Sequence, residues 1–333
     1  MRSRLIKLLI AFCASGWTLM ASTAERGPLV LETKIPLGDI TGRIDHLTID
    51  VTRRRLFVAE LGNNTVGVVD IDGRKVIRRL AGFDEPQGVA YVSDTETLYV
   101  TNGGDGVLLA FRGAQLEPVG KVVLEDDADN IRIDRDQGRL YVGAGSGNLT
   151  IIDAAAFKKV GEVRLDGHPE SFQLESEGSR IYVNVPDARE VAVLDRKSNK
   201  QIASWPTAGL RSNYPMALES ARKRVLVAFR QPATLVSFDA DSGAVQERVE
   251  ICGDADDVFI DARRGYIYVA CGQGVMDVLS SRGDRTTRVA RIETSPGART
   301  AFFSPELDRL FVAARAAGGE GAAVWVFRPA DTL

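Results

Sequence analysis

The chain has 333 residues, of which 44% are hydrophobic and 26% are charged. This balance is ordinary for a soluble globular protein and excludes disordered and collagen-like chains. The formal net charge is −3 and becomes −6 without residues 1–24, so a generally basic surface for nucleic acid is not expected.

The first 24 residues have the organisation of a secretory signal peptide. Three basic residues precede the mostly apolar run Leu8–Met20, and small residues follow it up to Ala24. The basic residues are Arg2, Arg4 and Lys7. This pattern predicts a signal peptide over residues 1–24 and a periplasmic or secreted protein formed by residues 25–333. An uncleaved anchor is the alternative, although the apolar run is short for a bilayer span. No other stretch is apolar enough, so we expect no membrane span after cleavage.

A short apolar phrase of the type Leu-Tyr-Val recurs seven times along the rest of the chain. The copies lie 41 to 44 residues apart and begin at Leu56, Leu98, Leu140, Ile181, Val225, Ile267 and Leu310. So regular a period indicates a repeat architecture, because a unit of this size cannot bury a core alone. We therefore predict a single domain over residues 25–333.

Each repeat has the pattern of four short strands, with the recurrent phrase as the second. We predict first strands at Leu47–Asp50, Val89–Val92, Ile131–Asp134, Phe172–Glu175, Met216–Glu219, Val258–Asp261 and Ala301–Ser304. The third strand follows a turn rich in Gly and Asn. The fourth has the weakest hydrophobic pattern, as expected of an outer edge strand that is half exposed to water.

The two ends of the chain complement each other. The seventh repeat stops after its third strand, near Arg328, whereas Leu29–Leu37 has the pattern of a fourth strand and precedes the first repeat. Pairing the N-terminal strand with the last sheet closes a ring without open ends. The sequence thus predicts an all-β fold, a seven-bladed β-propeller with four antiparallel strands per blade.

Tyr99–Asn102 reads Tyr-Val-Thr-Asn and is followed by Gly-Gly-Asp-Gly. This phrase resembles the repeat of the YVTN-type (YncE-like) family of β-propellers, which are secreted bacterial proteins. The resemblance covers nearly all of residues 25–333 and implies a propeller outside the cytoplasm, but it does not imply one activity. The other six copies replace the asparagine with Glu60, Ala144, Val185, Phe229, Cys271 and Ala314.

The residues just before the first strands are the best candidates for a site. In a propeller the first strands line the central channel, so the loops that enter them meet at one mouth. These residues differ from blade to blade, yet almost all are polar. We expect a concave ligand-binding site formed by Arg43, Asp45, His46, Gln87, Asp129, Asn130, Glu170, Tyr214, Asp256, Asp257 and Arg299. His168 and Arg211 are close enough in sequence to join it. The alternative is that these residues only satisfy turn backbone.

Several carboxylates at one mouth would repel one another without compensation. Three arginines could supply it: Arg43, Arg211 and Arg299. A hard divalent cation such as Ca²⁺ is the alternative, because it takes carboxylate and amide oxygens. Its expected ligands are Asp129, Asn130, Glu170 and Asp257. A structural zinc site is not expected, since the chain has two histidines and no close Cys/His spacing.

His46 is the candidate catalytic residue, a general base that Asp45 could orient. The alternative is a structural histidine beside a turn. Cys252 and Cys271 are the two cysteines that follow the predicted cleavage site. They either form a disulfide beside the mouth or are two separate small core residues.

These observations favour a monomeric periplasmic or secreted β-propeller that binds a small polar ligand or an extracytoplasmic partner protein at the channel mouth. A divalent-metal-dependent hydrolase or lyase of the propeller lactonase type is the alternative. The fold alone cannot decide between them.

Overall fold

The computed structural model describes residues 27–331 apart from residues 126, 208 and 284. The predicted signal peptide therefore lies outside the described residues. Within them the chain forms seven four-stranded antiparallel sheets, as predicted. The innermost strands of successive sheets contact one another in a closed circle. Among the described residues no helix is long and apolar enough to cross a membrane.

The strands follow one another in chain order, with four to each blade. They are β1 (Leu29–Gly38), β2 (Leu47–Asp50), β3 (Arg55–Glu60), β4 (Thr65–Asp70), β5 (Lys75–Ala81), β6 (Pro86–Val92), β7 (Thr97–Asn102), β8 (Val107–Arg112), β9 (Glu117–Val123), β10 (Ile131–Asp134), β11 (Arg139–Ala144), β12 (Asn148–Asp153), β13 (Lys158–Arg164), β14 (Phe172–Leu174), β15 (Arg180–Val185), β16 (Glu190–Asp195), β17 (Lys200–Pro206), β18 (Arg211–Glu219), β19 (Arg224–Gln231), β20 (Ala233–Asp239), β21 (Val245–Glu250), β22 (Ala255–Asp261), β23 (Tyr266–Cys271), β24 (Val275–Ser280), β25 (Thr287–Glu293), β26 (Ala301–Ser304), β27 (Arg309–Ala314) and β28 (Ala322–Pro329). Three single-turn 3₁₀ segments lie at Leu61–Asn63, Ser93–Thr95 and Ser220–Arg222.

The predicted closure of the ring is confirmed. Blade 1 comprises β2 to β5, and each later blade takes the next four strands up to blade 6. Blade 7 combines β26, β27 and β28 with β1 as its outer strand. Leu29 lies opposite Pro329, and Ile35 lies opposite Val324. The two ends of the described chain are therefore held in one sheet.

The recurrent apolar phrase fills the layers between blades. Side chains alternate between the two faces of a strand, so Leu98 and Val100 of β7 pack against blade 1. Tyr99, between them, packs against blade 3. Across the first of these layers the rings of Phe57 and Tyr91 lie 5.4 Å apart. Both faces of a second strand are therefore buried, which explains why the phrase is apolar throughout. A blade reaches its buried state only with a neighbour on each side.

Each outer strand carries a one-residue β-bulge at the same place. The bulged residues are Glu32, Ile77, Val119, Val160, Ile202, Gln246 and Val289. Five of them are aliphatic side chains that are 42 to 57% exposed. A bulge twists an edge strand and disrupts its row of free backbone groups, which hinders pairing with another sheet.

Candidate functional site

Every innermost strand begins with a β-bulge, in which two residues lie opposite one residue of the second strand. In blade 1 the Asp45 amide donates to the Ala59 carbonyl, and the Ala59 amide donates to the His46 carbonyl. Asp129 and Asn130 have the same relation to Gly143. A β-bulge at the end of a pair of strands changes the direction in which the side chains point. The polar residues expected ahead of the first strands are these bulges.

The bulge also explains why three first strands are longer than predicted. In blades 2, 5 and 6 the pairing continues through the bulge, so β6, β18 and β22 begin three to five residues early. The seven bulge pairs are Asp45-His46, Gln87-Gly88, Asp129-Asn130, Glu170-Ser171, Tyr214-Pro215, Asp256-Asp257 and Arg299-Thr300.

Two glycines bring blades 2, 3 and 4 close together at the mouth. A Cβ atom on Gly88 would lie 2.0 Å from the Asp129 carbonyl oxygen, and one on Gly143 would lie 2.7 Å from the Pro169 carbonyl oxygen. Thr101 uses the space beside Gly88: its hydroxyl donates to the Asp129 carbonyl at 2.6 Å and accepts the Gly88 amide at 2.8 Å. The backbone of Asp129 is thereby fixed next to the bulge of blade 2.

The bulges surround a polar cavity of about 270 Å³, the mouth cavity. Ten of the eleven predicted ligand-binding residues line it, namely Arg43, Asp45, His46, Gln87, Asp129, Asn130, Glu170, Tyr214, Asp256 and Arg299. His168 joins them, as does Ser171, the second residue of the Glu170-Ser171 pair. Asp127 and Arg230, which the sequence did not suggest, also line the cavity. Asp257 lines the channel below instead. Arg211 is exposed at the start of β18 and does not line the cavity.

One side of the mouth, the arginine side, consists of paired charges: Arg43, Arg230 and Arg299 with Asp45, Asp254 and Asp256. Arg299 Nε lies 2.8 Å from Asp256 Oδ2, and Arg230 Nη2 also contacts Asp256. Both guanidinium groups lie 3.2 Å from Asp254 Oδ1. Arg230 lies over the Tyr214 ring, 4.1 Å from its centroid. Each carboxylate on this side contacts a guanidinium group.

The other side, the acid side, consists of Asp127, Asp129, His168 and Glu170. In residues 27–331, as far as they are described, no lysine or arginine lies within 4 Å of these three carboxylates. Amides are their hydrogen-bond donors: Gln87 donates to Asp127, and Asn130 donates to Asp129. Burial, together with the charges of Asp129 and Asp256, raises the pKa of Glu170 to about 9. The acid side thus holds buried carboxyl groups that contact no arginine among the described residues, and Glu170 is protonated at neutral pH.

His46 lies between the two sides. Its Nε2 is 3.7 Å from Asp45 Oδ1 and 3.6 Å from Asp129 Oδ1. Burial works against protonation, but the charges of Asp45, Asp257 and Asp129 outweigh it and raise the pKa of His46. Burial also raises the pKa of Asp45. A raised pKa favours the cationic form of the ring, which cannot accept a proton, so this geometry favours a charge-bridging role over a general base.

Below the mouth a second cavity of about 450 Å³ follows the channel between the innermost strands. His46 and Asn130 line both cavities and form the neck between them, beside Asp257. Asp257 Oδ2 accepts the Ala301 amide at 2.8 Å, while burial raises the pKa of Asp257 to about 7. Burial lowers the pKa of Arg132, which also lines the channel.

Cys252 and Cys271 form a disulfide, with their Cα atoms 5.9 Å apart. Cys252 follows the outer strand β21, and Cys271 ends β23 in the next blade. The Cys252 amide donates to Asp277 Oδ2 at 2.8 Å. The bond lies immediately before Asp254 and Asp256, so it braces the loop that carries the carboxylates of the arginine side.

A second set of mouth residues lies two positions before the bulges. Asp127, His168 and Asp254 occupy this position in blades 3, 4 and 6, and Arg43 occupies it in blade 1. The backbone is left-handed at Asp127 (φ 53°) and Asp254 (φ 60°). The repeat spacing could have revealed this position, because it recurs in every unit. Arg230 extends from the end of a second strand, and no repeat pattern marks it.

No protein-family model and no curated protein sequence matches this chain. Solved structures do resemble it. A chain of hydrazine synthase from Kuenenia stuttgartiensis is 16% identical, with a TM-score of 0.75 over 95% of this chain and 100% of that one. A chain in the crystal structure of a mitotic checkpoint complex is 16% identical, with a TM-score of 0.77 over 96% and 99%. At this identity the likeness shows the fold alone, a seven-bladed β-propeller, and not a function.

Proposed function

We propose that this β-propeller binds a small polar ligand in the mouth cavity. The observation that carries the proposal is the difference between the two sides of one cavity, with paired arginines on one side and carboxyl groups without an arginine contact among the described residues on the other. A structural ring of turn residues would have no reason to leave buried carboxylates unpaired. A volume of about 270 Å³ lies just below that of sites for drug-sized molecules, so a compact metabolite fits.

The two sides define the chemistry of the ligand. The guanidinium groups of Arg43 and Arg299 favour a carboxylate, phosphate or other acceptor group. Glu170 and Asp129 favour a group that donates hydrogen bonds or carries positive charge. Zwitterionic amino acids, sugar acids and small hydroxy acids each offer both kinds of group within a few ångströms.

We also propose that the protein belongs to the YVTN-type (YncE-like) family and acts in the periplasm or outside the cell. The signal-peptide pattern of residues 1–24 and the phrase Tyr99–Asn102 support this proposal. The Cys252–Cys271 disulfide supports it as well, because such bonds persist mainly in oxidising compartments.

A divalent-metal-dependent hydrolase or lyase is the second candidate function. One observation favours it: a ring nitrogen of His168 and carboxylate oxygens of Asp129 and Glu170 lie within 4.8 Å of one another. A divalent cation held at the floor of an open cavity could polarise a carbonyl group of the ligand.

Thermal denaturation in the presence of candidate ligands tests the binding proposal. Amino acids, sugar acids and small hydroxy acids are added in turn to the mature protein, to Arg299→Gln and to Arg135→Gln. Arg135 is an exposed arginine of a turn outside the cavity. We expect at least one class to raise the Tm of the mature protein and of Arg135→Gln, and to raise that of Arg299→Gln much less. A panel without any effect, or equal shifts in all three proteins, would contradict the proposal and favour a partner protein as the bound species.

A further inference from the structure

We propose that Asp129, His168 and Glu170 bind a divalent transition-metal ion of the Zn²⁺ class at the floor of the mouth cavity. One ligand atom from each residue lies within 4.8 Å of the others. Metal–ligand bonds of about 2.0–2.2 Å place ligand atoms roughly 3–3.5 Å apart, so small side-chain rotations bring the three groups into contact with one ion. This proposal goes beyond the binding of an organic ligand and does not depend on it.

The contacts of His168 orient its ring and fix the tautomer that can bind a metal ion. Its Nδ1 lies 2.7 Å from the Gly145 carbonyl oxygen, which can only accept, so Nδ1 carries the proton. The neutral ring then presents the lone pair of Nε2. Asp127 Oδ2 lies 3.6 Å from Nδ1, and the Gln87 amide donates to Asp127 Oδ1. A histidine that binds a metal ion usually has this arrangement, with its other ring nitrogen donating to a carbonyl or carboxylate.

Two buried oxygen atoms, one on Asp129 and one on its neighbour Asn130, lack a hydrogen-bond partner among the described residues, and the second is independent of the three proposed ligands. Asn130 is 3% exposed and lines the cavity, and its Oδ1 has no hydrogen-bond partner among the described residues. Oδ1 of Asp129, a residue 8% exposed, has none either. Buried polar atoms in proteins are almost always paired with protein, water or an ion. An ion at Asp129 and water bound to it would satisfy both oxygens.

The donor set decides between classes of metal ion. Ca²⁺ prefers six to eight oxygen ligands. The sequence analysis expected it at Asp129, Asn130, Glu170 and Asp257. The structure instead brings an imidazole to Asp129 and Glu170, while Asp257 faces the channel. One nitrogen and two carboxylates suit Zn²⁺ and its neighbours in the first transition series. Three protein ligands also leave coordination positions for water or for a ligand oxygen, unlike a closed structural zinc site.

Calorimetric titration with Zn²⁺ and with Ca²⁺ tests the site in the mature, metal-stripped protein without any organic ligand. We expect one equivalent of Zn²⁺ to bind, with Ca²⁺ at least about 100-fold weaker. His168→Gln and Glu170→Gln should each weaken Zn²⁺ binding about 100-fold or more, since each removes a ligand atom. Glu170→Gln keeps the size and shape of the side chain and breaks no ion pair with a lysine or arginine among the described residues, so it should fold even if His168→Gln does not.

Two control variants separate this site from general charge effects. His46→Gln removes the other histidine of the mouth, and Glu162→Gln removes an exposed carboxylate on β13. Glu162→Gln should leave Zn²⁺ binding unchanged, whereas His46→Gln removes a group that competes with the ion for Asp129 and should leave binding as tight or tighter. The proposal is overturned if Zn²⁺ does not bind, if Ca²⁺ binds as tightly, or if His46→Gln weakens binding while His168→Gln leaves it unchanged. A failed screen of organic ligands would contradict the proposed function and leave this metal titration unaffected.

Discussion

The arginine side and the acid side of the mouth occupy equivalent positions of the same repeat, yet they differ in how their charges are balanced. On the arginine side Arg230 and Arg299 both contact Asp256. On the acid side Glu170 and Asp129 have no arginine within 4 Å among the described residues. A buried ion pair that is complete holds its own geometry, whereas a buried unpaired charge destabilises the protein until something binds to it. The arginine side therefore consists of complete ion pairs, whereas the carboxyl groups of the acid side lack a partner that a ligand or an ion could supply.

Removing an arginine from the arginine side should have the largest effect on stability. Arg230→Gln leaves Asp254 and Asp256 with Arg299 as their remaining guanidinium partner and removes the contact with the Tyr214 ring. We expect the free energy of unfolding to fall by about 2–3 kcal/mol, measured by urea denaturation. Arg135→Gln, which removes an exposed charge, should change it by less than about 0.5 kcal/mol. Equal effects in the two variants would mean that the paired charges do not stabilise this side.

The same kind of change on the acid side should have the opposite sign. With a pKa of about 9, Glu170 must take up a proton when the protein folds at pH 7, whereas Glu170→Gln keeps the shape of the side chain without this cost. We therefore expect the metal-free protein to gain about 1–2 kcal/mol of stability. Urea denaturation in the presence of a chelator measures the gain, and Glu162→Gln is the matched control. A loss of stability in Glu170→Gln would show that the carboxylate is already compensated and would remove the distinction between the two sides.

The neck between the sides should show a smaller, pH-dependent effect. The pKa of Asp257 is about 7 in the folded protein, above the usual 3.8. Between these values the folded state binds a proton that the unfolded state releases, so stability falls as the pH rises from about 4 to 7. Asp257→Asn cannot ionise, and its amide oxygen can still accept the Ala301 amide.

We therefore expect Asp257→Asn to match the unsubstituted protein near pH 4 and to exceed its stability by at least about 1 kcal/mol at pH 8. Melting curves at a series of pH values check this prediction. Parallel pH profiles for the two proteins would show that Asp257 does not titrate in this range.

The sequence predicted the fold and most of the mouth for one physical reason. Packing between blades requires the apolar phrase at Leu98 and its six counterparts. Because every blade packs in the same way, the phrase recurs in the sequence at a regular period. Positions such as Asp45, Asp129 and Glu170 do not pack between blades, and their variation identified them as candidates. The structure then showed that they are bulges, which a hydrophobic pattern cannot reveal because the paired residues are polar.

The division of the mouth into two sides could not be predicted from the sequence. It depends on Arg230, which reaches the mouth from the end of a second strand, and on Asp254, which contacts two arginines of different blades. It also depends on His168, whose ring is directed by a carbonyl group of the preceding blade. Such contacts join residues that are 23 to 45 positions apart, and repeat spacing alone does not fix the reach of their side chains.

The pairing of β1 with β28 in blade 7 determines when the ring can close during synthesis of the chain. Leu29 and Pro329, 300 residues apart, lie opposite each other in one sheet. The strand β1 can therefore pair only after β28, the last of the described strands, has been synthesised. A chain released before β28 leaves β1 without a partner and exposes the apolar face of blade 1 that packs beneath it. Unfinished chains therefore carry an open strand edge that proteases and chaperones can recognise. Synthesis of β28 covers this edge and closes the ring.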